Sequence, residues 1–283
     1  MNKVLQRLLI FFIGLPLLIF IVYFKNFNHI LLNILLLAVS LIGSNELHNM
    51  FSSTHKTQPK VFVLLLSALT SLSTLCVCTF NLPEYIIIFS YTLSLLICMT
   101  YEIFFSQKKE ENAFADSNSH ITTTVTILTY IGFLISFVSR ITMWEKSREL
   151  FILFLLIVYG CDSLAWLFGM LFGKGNRGYV KASPNKSIAG FIGGLATSLA
   201  VCVLFHFILP DIIPDLWKVL VIGFVTSLAA IIGDLIESVF KRSSSFKDSG
   251  FIIPGRGGLL DSVDSILLAA PVFYYLCKIL LGF

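Results

Sequence analysis

A chain of 283 residues that is 57% hydrophobic and 13% charged, with a mean hydropathy of +0.89 and a formal net charge of +4, is too apolar for a soluble globular domain. Its 20 Lys and Arg against 16 Asp and Glu do not make a nucleic-acid binder, and its six Cys all lie within apolar runs, as small hydrophobes in helix packing would. What remains is a protein of the bilayer.

Nine apolar runs span or nearly span a membrane, at 5–24, 30–44, 61–80, 85–105, 121–138, 150–172, 188–209, 217–240 and 266–283. Hydrocarbon leaves no partner for an open strand edge, so the runs are predicted as helices. The expected fold class is all-α: a polytopic integral membrane protein of about nine transmembrane helices. The first run, behind Lys3 and Arg7, resembles a signal peptide but has no small-residue cleavage site before Lys25, and is read as a retained helix. The second run is short, and is expected to be tilted, re-entrant or partly interfacial.

Placing the N-terminus in the cytoplasm puts the N-tail and the loops 45–60, 106–120, 173–187 and 241–265 inside. Most of the Lys and Arg then lie inside, against Lys25, Arg140, Lys146, Arg148 and Lys218 outside and Lys278 within the last run. Trp144 and Trp217 fall at the outer interface, as an aromatic belt would have them. The basic loops face anionic lipid and phosphate substrates at the cytoplasmic side of the plasma membrane.

Up to Arg140 the runs are almost free of charge, and Glu46 with His48 is the only polar cluster there; it lines a site or caps an interface. Residues 1–140 are read as scaffold or dimerisation helices. Residues 141–283 are read as the catalytic region, with its cytoplasmic loops 173–187 and 241–265.

Within that region, Asp162, Trp166, Gly169 and Gly173 share one face of the run 150–172. A loop rich in Gly and basic residues leads from it to Lys186 and Ser187, and Ser183-Pro184 reads as a helix start. Backbone N–H groups, Lys186 and Ser187 at a helix N-terminus would cradle a polyphosphate. The glycines serve either that cradle or close helix packing, and the basic loop is either a phosphate site or topological charge.

In the run 217–240, Asp234, Glu237, Ser238, Lys241 and Arg242 form one helical stripe. Asp234 lies six residues before Phe240, roughly 9 Å inside the helix end. A carboxylate at that depth needs protein, water or a cation. Lys241 and Arg242 stand about two turns away, which argues against a local salt bridge. Beyond it come Lys247-Asp248, the turn Pro254-Gly255-Arg256-Gly257-Gly258, and Asp261 with Asp264 on one face of the last helix. The turn can present N–H groups to an anion. Carboxylates at helix ends, completed by phosphate oxygens, suit Mg²⁺.

The stretch Gly233-Asp234, Glu237-Ser238, Lys241-Arg242, Lys247-Asp248, Pro254-Gly255, Gly257-Gly258, Asp261 and Asp264 resembles the long signature of the CDP-diacylglycerol synthases, or phosphatidate cytidylyltransferases. Asp162-Ser163, Trp166, Gly169, Gly173-Lys174, Ser183-Pro184, Lys186-Ser187 and Gly190 resemble a second region of that family. The resemblance covers about residues 150–270. The chain departs from the pattern at Arg256 in place of His, Ser262 in place of Arg, Asn185 in place of Lys and Ala189 in place of Glu.

The resemblance implies the reaction of CTP with phosphatidate to give CDP-diacylglycerol and pyrophosphate, with Mg²⁺ and room for a second cation. It implies Asp234 and Asp261 as metal carboxylates, supported by Asp264 or Asp248. It also implies Ser238, Lys241 and Arg242 on the lipid phosphate. Asp162, Lys186, Ser187, Lys247, Gly255, Arg256, Gly257 and Gly258 are expected to bind substrate. A homodimer would fit the family, and no nucleic-acid partner is expected. The alternatives are a CTP-dependent lipid kinase of the polyprenol or phytol type, and a transporter using intramembrane Asp162 and Asp234 as ion ligands.

Overall fold

The structure, a computed structural model, describes residues 15–105, 114–253 and 257–283. Its helices are α1 (Leu15–Tyr23), α2 (Asn26–Ser52), α3 (Lys60–Phe80), α4 (Tyr85–Phe105), α5 (Ser117–Ile127), α6 (Ser136–Ile141), α7 (Ser147–Phe172), α8 (Ile188–Ile208), α9 (Leu216–Ser243) and α10 (Leu260–Leu281). A π-helical stretch, Leu128–Phe133, joins α5 to α6, so that Ser117–Ile141 runs as one span. Among the described residues eight spans are long and apolar enough to cross a membrane, and β-structure is limited to two isolated bridges. The chain is thus an all-α polytopic membrane protein, as its apolar runs predict. Of the first run, 5–24, Leu15–Tyr23 lies within the described residues; Lys3, Arg7, Pro254, Gly255 and Arg256 lie outside them.

The expectation of a short, re-entrant or interfacial second run is corrected. α2 has 27 residues; Phe27, Asn28 and His29 near its start have positive φ and kink it, and the regular helix runs from there to Ser52, about 35 Å at 1.5 Å per residue. Its polar residues had seemed to end the run, but His29, Asn33, Ser44, Glu46 and His48 are all buried within the protein. A helix that turns its polar side to protein spans lipid with a lower hydropathy than one surrounded by it.

The chain forms two compact units. One comprises Met1–Met143 with Ser243–Ser262, and the other Trp144–Arg242 with Val263–Phe283. In the first, helices are joined by hydroxyls. Ser40 meets Ser71 and Ser44 meets Ser67, both at 2.7 Å between α2 and α3, and Ser94 of α4 donates to the Leu66 carbonyl at 3.2 Å. Tyr91 and Thr129 meet at 2.7 Å, tying α4 to the π-helical stretch. Lipid gives helices no hydrophobic reason to associate, so small polar residues at the seam supply the attraction. Arg140, 2% exposed, lies 3.8 Å from Glu84 and over the Phe137 ring at 4.4 Å.

The second unit is joined by close backbone approach. A Cβ at Gly190 would stand 2.6 Å from the Ala165 carbonyl oxygen, and one at Gly194 2.8 Å from that of Cys161. Only glycine lets α7 and α8 come so near. Packing is thus the reading the structure supports for these two glycines. Aromatic rings close the far end, with Trp144 stacked on Tyr274 at 4.9 Å and Phe154 against Phe273 at 5.1 Å.

Candidate active site

In the second unit the acidic stripe of α9 meets the basic loop that precedes α8. Lys186 forms an ion pair with Asp234, and the Arg242 side chain donates from Nε to the Ala182 carbonyl at 3.3 Å. The 173–187 loop is therefore fastened to α9 near both ends of the stripe. One turn beyond Asp234, Glu237 is fully buried and pairs with Lys241, four residues on. A buried carboxylate of this kind needs such a partner, since an isolated charge in low dielectric is costly. Ser238 is buried beside it, whereas the Arg242 side chain reaches the surface.

Two further carboxylates belong to this unit. The Ser265 hydroxyl donates to Asp162 Oδ2 at 2.9 Å, and the Ser265 N–H donates to Asp264 Oδ1 at 2.6 Å. One serine thus links α7 to the first turns of α10. A Cβ at Gly233 would lie 2.6 Å from the Asp264 carbonyl oxygen, so α9 and α10 approach closely next to Asp234. Asp264 lies within electrostatic reach of Asp234, Asp162 and Lys241. Three carboxylates and two lysines from α7, α9, α10 and the basic loop share one neighbourhood.

The helix start expected at Ser183-Pro184 is corrected. Those residues make a turn in which the Lys186 N–H donates to the Ser183 carbonyl at 3.1 Å, and α8 begins at Ile188. Ser187 is its N-cap: the backbone is extended, and the hydroxyl accepts from the Gly190 N–H at 3.1 Å. Ser187 is 4% exposed, with Gly169 and Gly173 packed over its hydroxyl. The cap is the ordinary use of a serine with free N–H groups two and three residues ahead.

The first unit holds the other acidic turn. Ile253 and Gly257 exchange backbone hydrogen bonds of 2.8 and 3.0 Å, closing a narrow loop. Behind it, Asp261 Oδ2 accepts from the N–H groups of Ser249 at 2.9 Å and Gly258 at 2.7 Å and from the Ser249 hydroxyl at 3.0 Å. Gly257 has φ +120°, a conformation L side chains rarely adopt, and a Cβ there would also stand 2.7 Å from Asp261 Oδ2. Lys247 and Asp248 are exposed.

A second carboxylate completes this turn, and the motif did not assign it. Glu46 of α2, 3% exposed, accepts from the N–H groups of Leu259 at 2.9 Å and Leu260 at 2.8 Å and from the Ser249 hydroxyl at 3.2 Å. The signal in the sequence was a lone acid in an apolar run; its partners, more than 200 residues away, left no trace in local spacing. The described N–H groups of the glycine turn are thus occupied by the chain's own carboxylates and by the Ile253 carbonyl.

Of the carboxylates expected to bind metal, Asp234 and Asp264 lie in the second unit and Asp261 in the first. Among the described residues no three His, Cys, Asp or Glu converge into a metal cage. The donors present are all carboxylate oxygens. They fit a hard cation that takes a few protein ligands and fills its shell with phosphate oxygens and water, and they do not fit a soft metal.

The profile of the Cytidylyltransferase family matches residues 5–280. Over 117 residues the chain is 43% identical to the phosphatidate cytidylyltransferase of Staphylococcus haemolyticus (strain JCSC1435), covering 41% of this chain and 44% of that protein. It is 39% identical over 142 residues to the protein of that name from Staphylococcus saprophyticus, covering 50% and 52%. With that of Staphylococcus aureus (strain COL) the identity is 39% over 143 residues, again covering 50% and 52%. The chain spans about half the length of the curated relatives it matches.

Proposed function

The chain belongs to the Cytidylyltransferase family, and from that membership and the carboxylate–lysine neighbourhood we propose that it is a phosphatidate cytidylyltransferase. It would join CTP and phosphatidate into CDP-diacylglycerol and release pyrophosphate. A phosphatidate oxygen attacks the α-phosphorus of CTP, the new O–Pα bond forms, and the bond from Pα to the bridging oxygen of the β-phosphate breaks. A phosphate monoester has its second pKa near about 6, so the nucleophile is already ionised and no strong base is needed. The burden falls on positioning two anions and offsetting their charge.

The observation that carries this reading is the Lys186–Asp234 pair, in which the basic loop holds a signature carboxylate deep in an apolar helix. A lysine and an aspartate that neutralise each other can separate when substrate arrives. Lys186 turns to a phosphate oxygen of CTP, and Asp234 is left free for a cation. Lys241 and Arg242, with Ser238, bind the lipid phosphate, and Lys247 and Arg256 add charge for the departing pyrophosphate. Asp162, through Ser265, orients Asp264. Ser187 fixes the N-terminus of α8 beneath the nucleotide loop. Gly257 lets its turn close tightly on Asp248 and Asp261, and Gly258 lets it close on Ser249 and Glu46; Gly255 is assigned with them to the substrate phosphates.

Asp234, Asp261 and Asp264 are assigned to Mg²⁺, with Asp248 in support. Bound there, the cation would supply charge stabilisation at the phosphoryl oxygens. The basic loops face the cytoplasm and the protein resides in the plasma membrane, as the charge bias supports. Residues 1–140 are assigned as scaffold or dimerisation helices, and a homodimer would fit the family.

The test is transfer of label from CTP marked on the α-phosphate to the lipid phase. It uses purified protein in detergent with phosphatidate and Mg²⁺, with and without EDTA. Metal-dependent lipid label with release of pyrophosphate is expected. Label passing only from the γ-phosphate to a lipid alcohol would replace this reading with a lipid kinase.

A further inference from the structure

α10 begins at Leu260, and the residue before it, Leu259, carries no side-chain oxygen to cap a helix. The N–H groups at a helix start are left without intrahelical partners and, in an apolar setting, must be satisfied from elsewhere. Glu46 does this from α2, taking Leu259 and Leu260 through its two oxygens at 2.9 and 2.8 Å. The positive end of the helix dipole favours the carboxylate that sits there. Its Oε2 also accepts from Ser249 Oγ, the hydroxyl that lies against Asp261 Oδ2. A hydroxyl has one proton, so Ser249 donates to one carboxylate at a time and couples the two.

The glycines of the turn are fitted to Glu46. A Cβ at Gly250 would have Glu46 as each of its three nearest neighbours: Oε1 at 2.5 Å, Cδ at 3.0 Å and Cγ at 3.3 Å. At Gly258 a Cβ would lie 2.6 Å from Glu46 Oε2. A turn shaped this closely around one side chain takes its form from that side chain.

We infer that Glu46 is a positioning residue: it caps α10 from a separate helix and holds Ser249–Gly250 and Gly258–Leu260 so that Asp261 keeps the geometry its role requires. The structural statement stands on these contacts alone. Its catalytic consequence rests on the proposed assignment of Asp261.

The experiment measures amide hydrogen exchange in the purified full chain, without nucleotide or metal, and in parallel the Mg²⁺ dependence of cytidylyl transfer. Glu46→Ala is expected to speed exchange across residues 257–261 by at least about tenfold, as loss of a local tie does, while the amides of α7 and α8 keep their protection. Gly250→Ala is expected to match it, and combining the two is expected to add little, because both disrupt one contact. Glu46→Gln keeps the shape and one acceptor oxygen, so it falls between and also decides the matter if the alanine variant does not fold. In the same variants the Mg²⁺ concentration for half-maximal rate rises several-fold while the KM for phosphatidate moves less than about twofold, a split that general destabilisation would not produce. Unchanged exchange at 257–261 in folded Glu46→Ala, or in Glu46→Gln where the former is lost, overturns the inference. If exchange responds as expected but the wild-type protein transfers no cytidylyl group, the structural role of Glu46 stands and the proposed function falls.

Discussion

Asp261 and Asp234 are held in opposite ways. In the first unit, the contacts described for Asp261 come from neutral donors, two N–H groups and a serine hydroxyl. In the second, Asp234 is matched with the ammonium of Lys186, and Glu237 one turn later with that of Lys241. Neutral donors hold a carboxylate by the direction of their hydrogen bonds. A lysine cancels the charge but can be drawn away by a stronger anion. The first arrangement fixes the geometry of its carboxylate, and the second makes a latch that a phosphate can open.

That contrast can be broken most sharply at Asp261. If its charge is what matters, Asp261→Asn keeps the shape and the acceptor oxygen yet lowers turnover about a thousandfold, the several kcal/mol that charge stabilisation supplies. Cytidylyl transfer within tenfold of wild type would show that its hydrogen bonds, not its charge, are the asset. Next in size, Lys241→Ala removes the ammonium paired with the fully buried Glu237 and is expected to cost about 3 kcal/mol of stability in detergent unfolding, whereas pairing it with Glu237→Gln recovers most of that loss. An unaltered unfolding midpoint in the single variant would remove the structural half of the comparison.

Lys186→Met is expected to lower kcat/KM for CTP about a hundredfold, a loss of less than 3 kcal/mol at the reacting phosphates. It leaves Asp234 without its ammonium, so a stronger dependence on Mg²⁺ should accompany the change; loss of stability without loss of CTP affinity would make the pair a strut and not a latch. The smallest effect belongs to Ser249→Ala, about 1 kcal/mol for the shared hydrogen bonds, seen as a modest rise in exchange at the turn. A loss as large as that of Asp261→Asn would place Ser249 among the groups that touch substrate.

Hydropathy found the spans because lipid imposes one pattern on any helix it surrounds, and the motif singled out Asp234, Lys186, Lys241 and Asp261, which the structure holds in ion pairs and hydrogen bonds. What stayed hidden was set by tertiary partners. α2 read as short because its buried Asn33, Ser44, Glu46 and His48 look like an end when their neighbours are unknown. Ser183-Pro184 read as a helix start because the true cap, Ser187, is identified by the bond it makes to Gly190 and not by its type. Glu46 stood in plain view as the odd acid of an apolar run, but nothing within a helical turn of it names Leu259 or Leu260.

The bond from Glu46 to the start of α10 also gives the molecule a timetable. Leu259 follows Glu46 by 213 residues, and at about 5–20 residues per second of synthesis the interval is on the order of tens of seconds. During that time α3 through α9 are made and inserted while the carboxylate waits for the donors it will be buried against. The bond between Glu46 and Leu259 therefore forms only after that whole interval has been made.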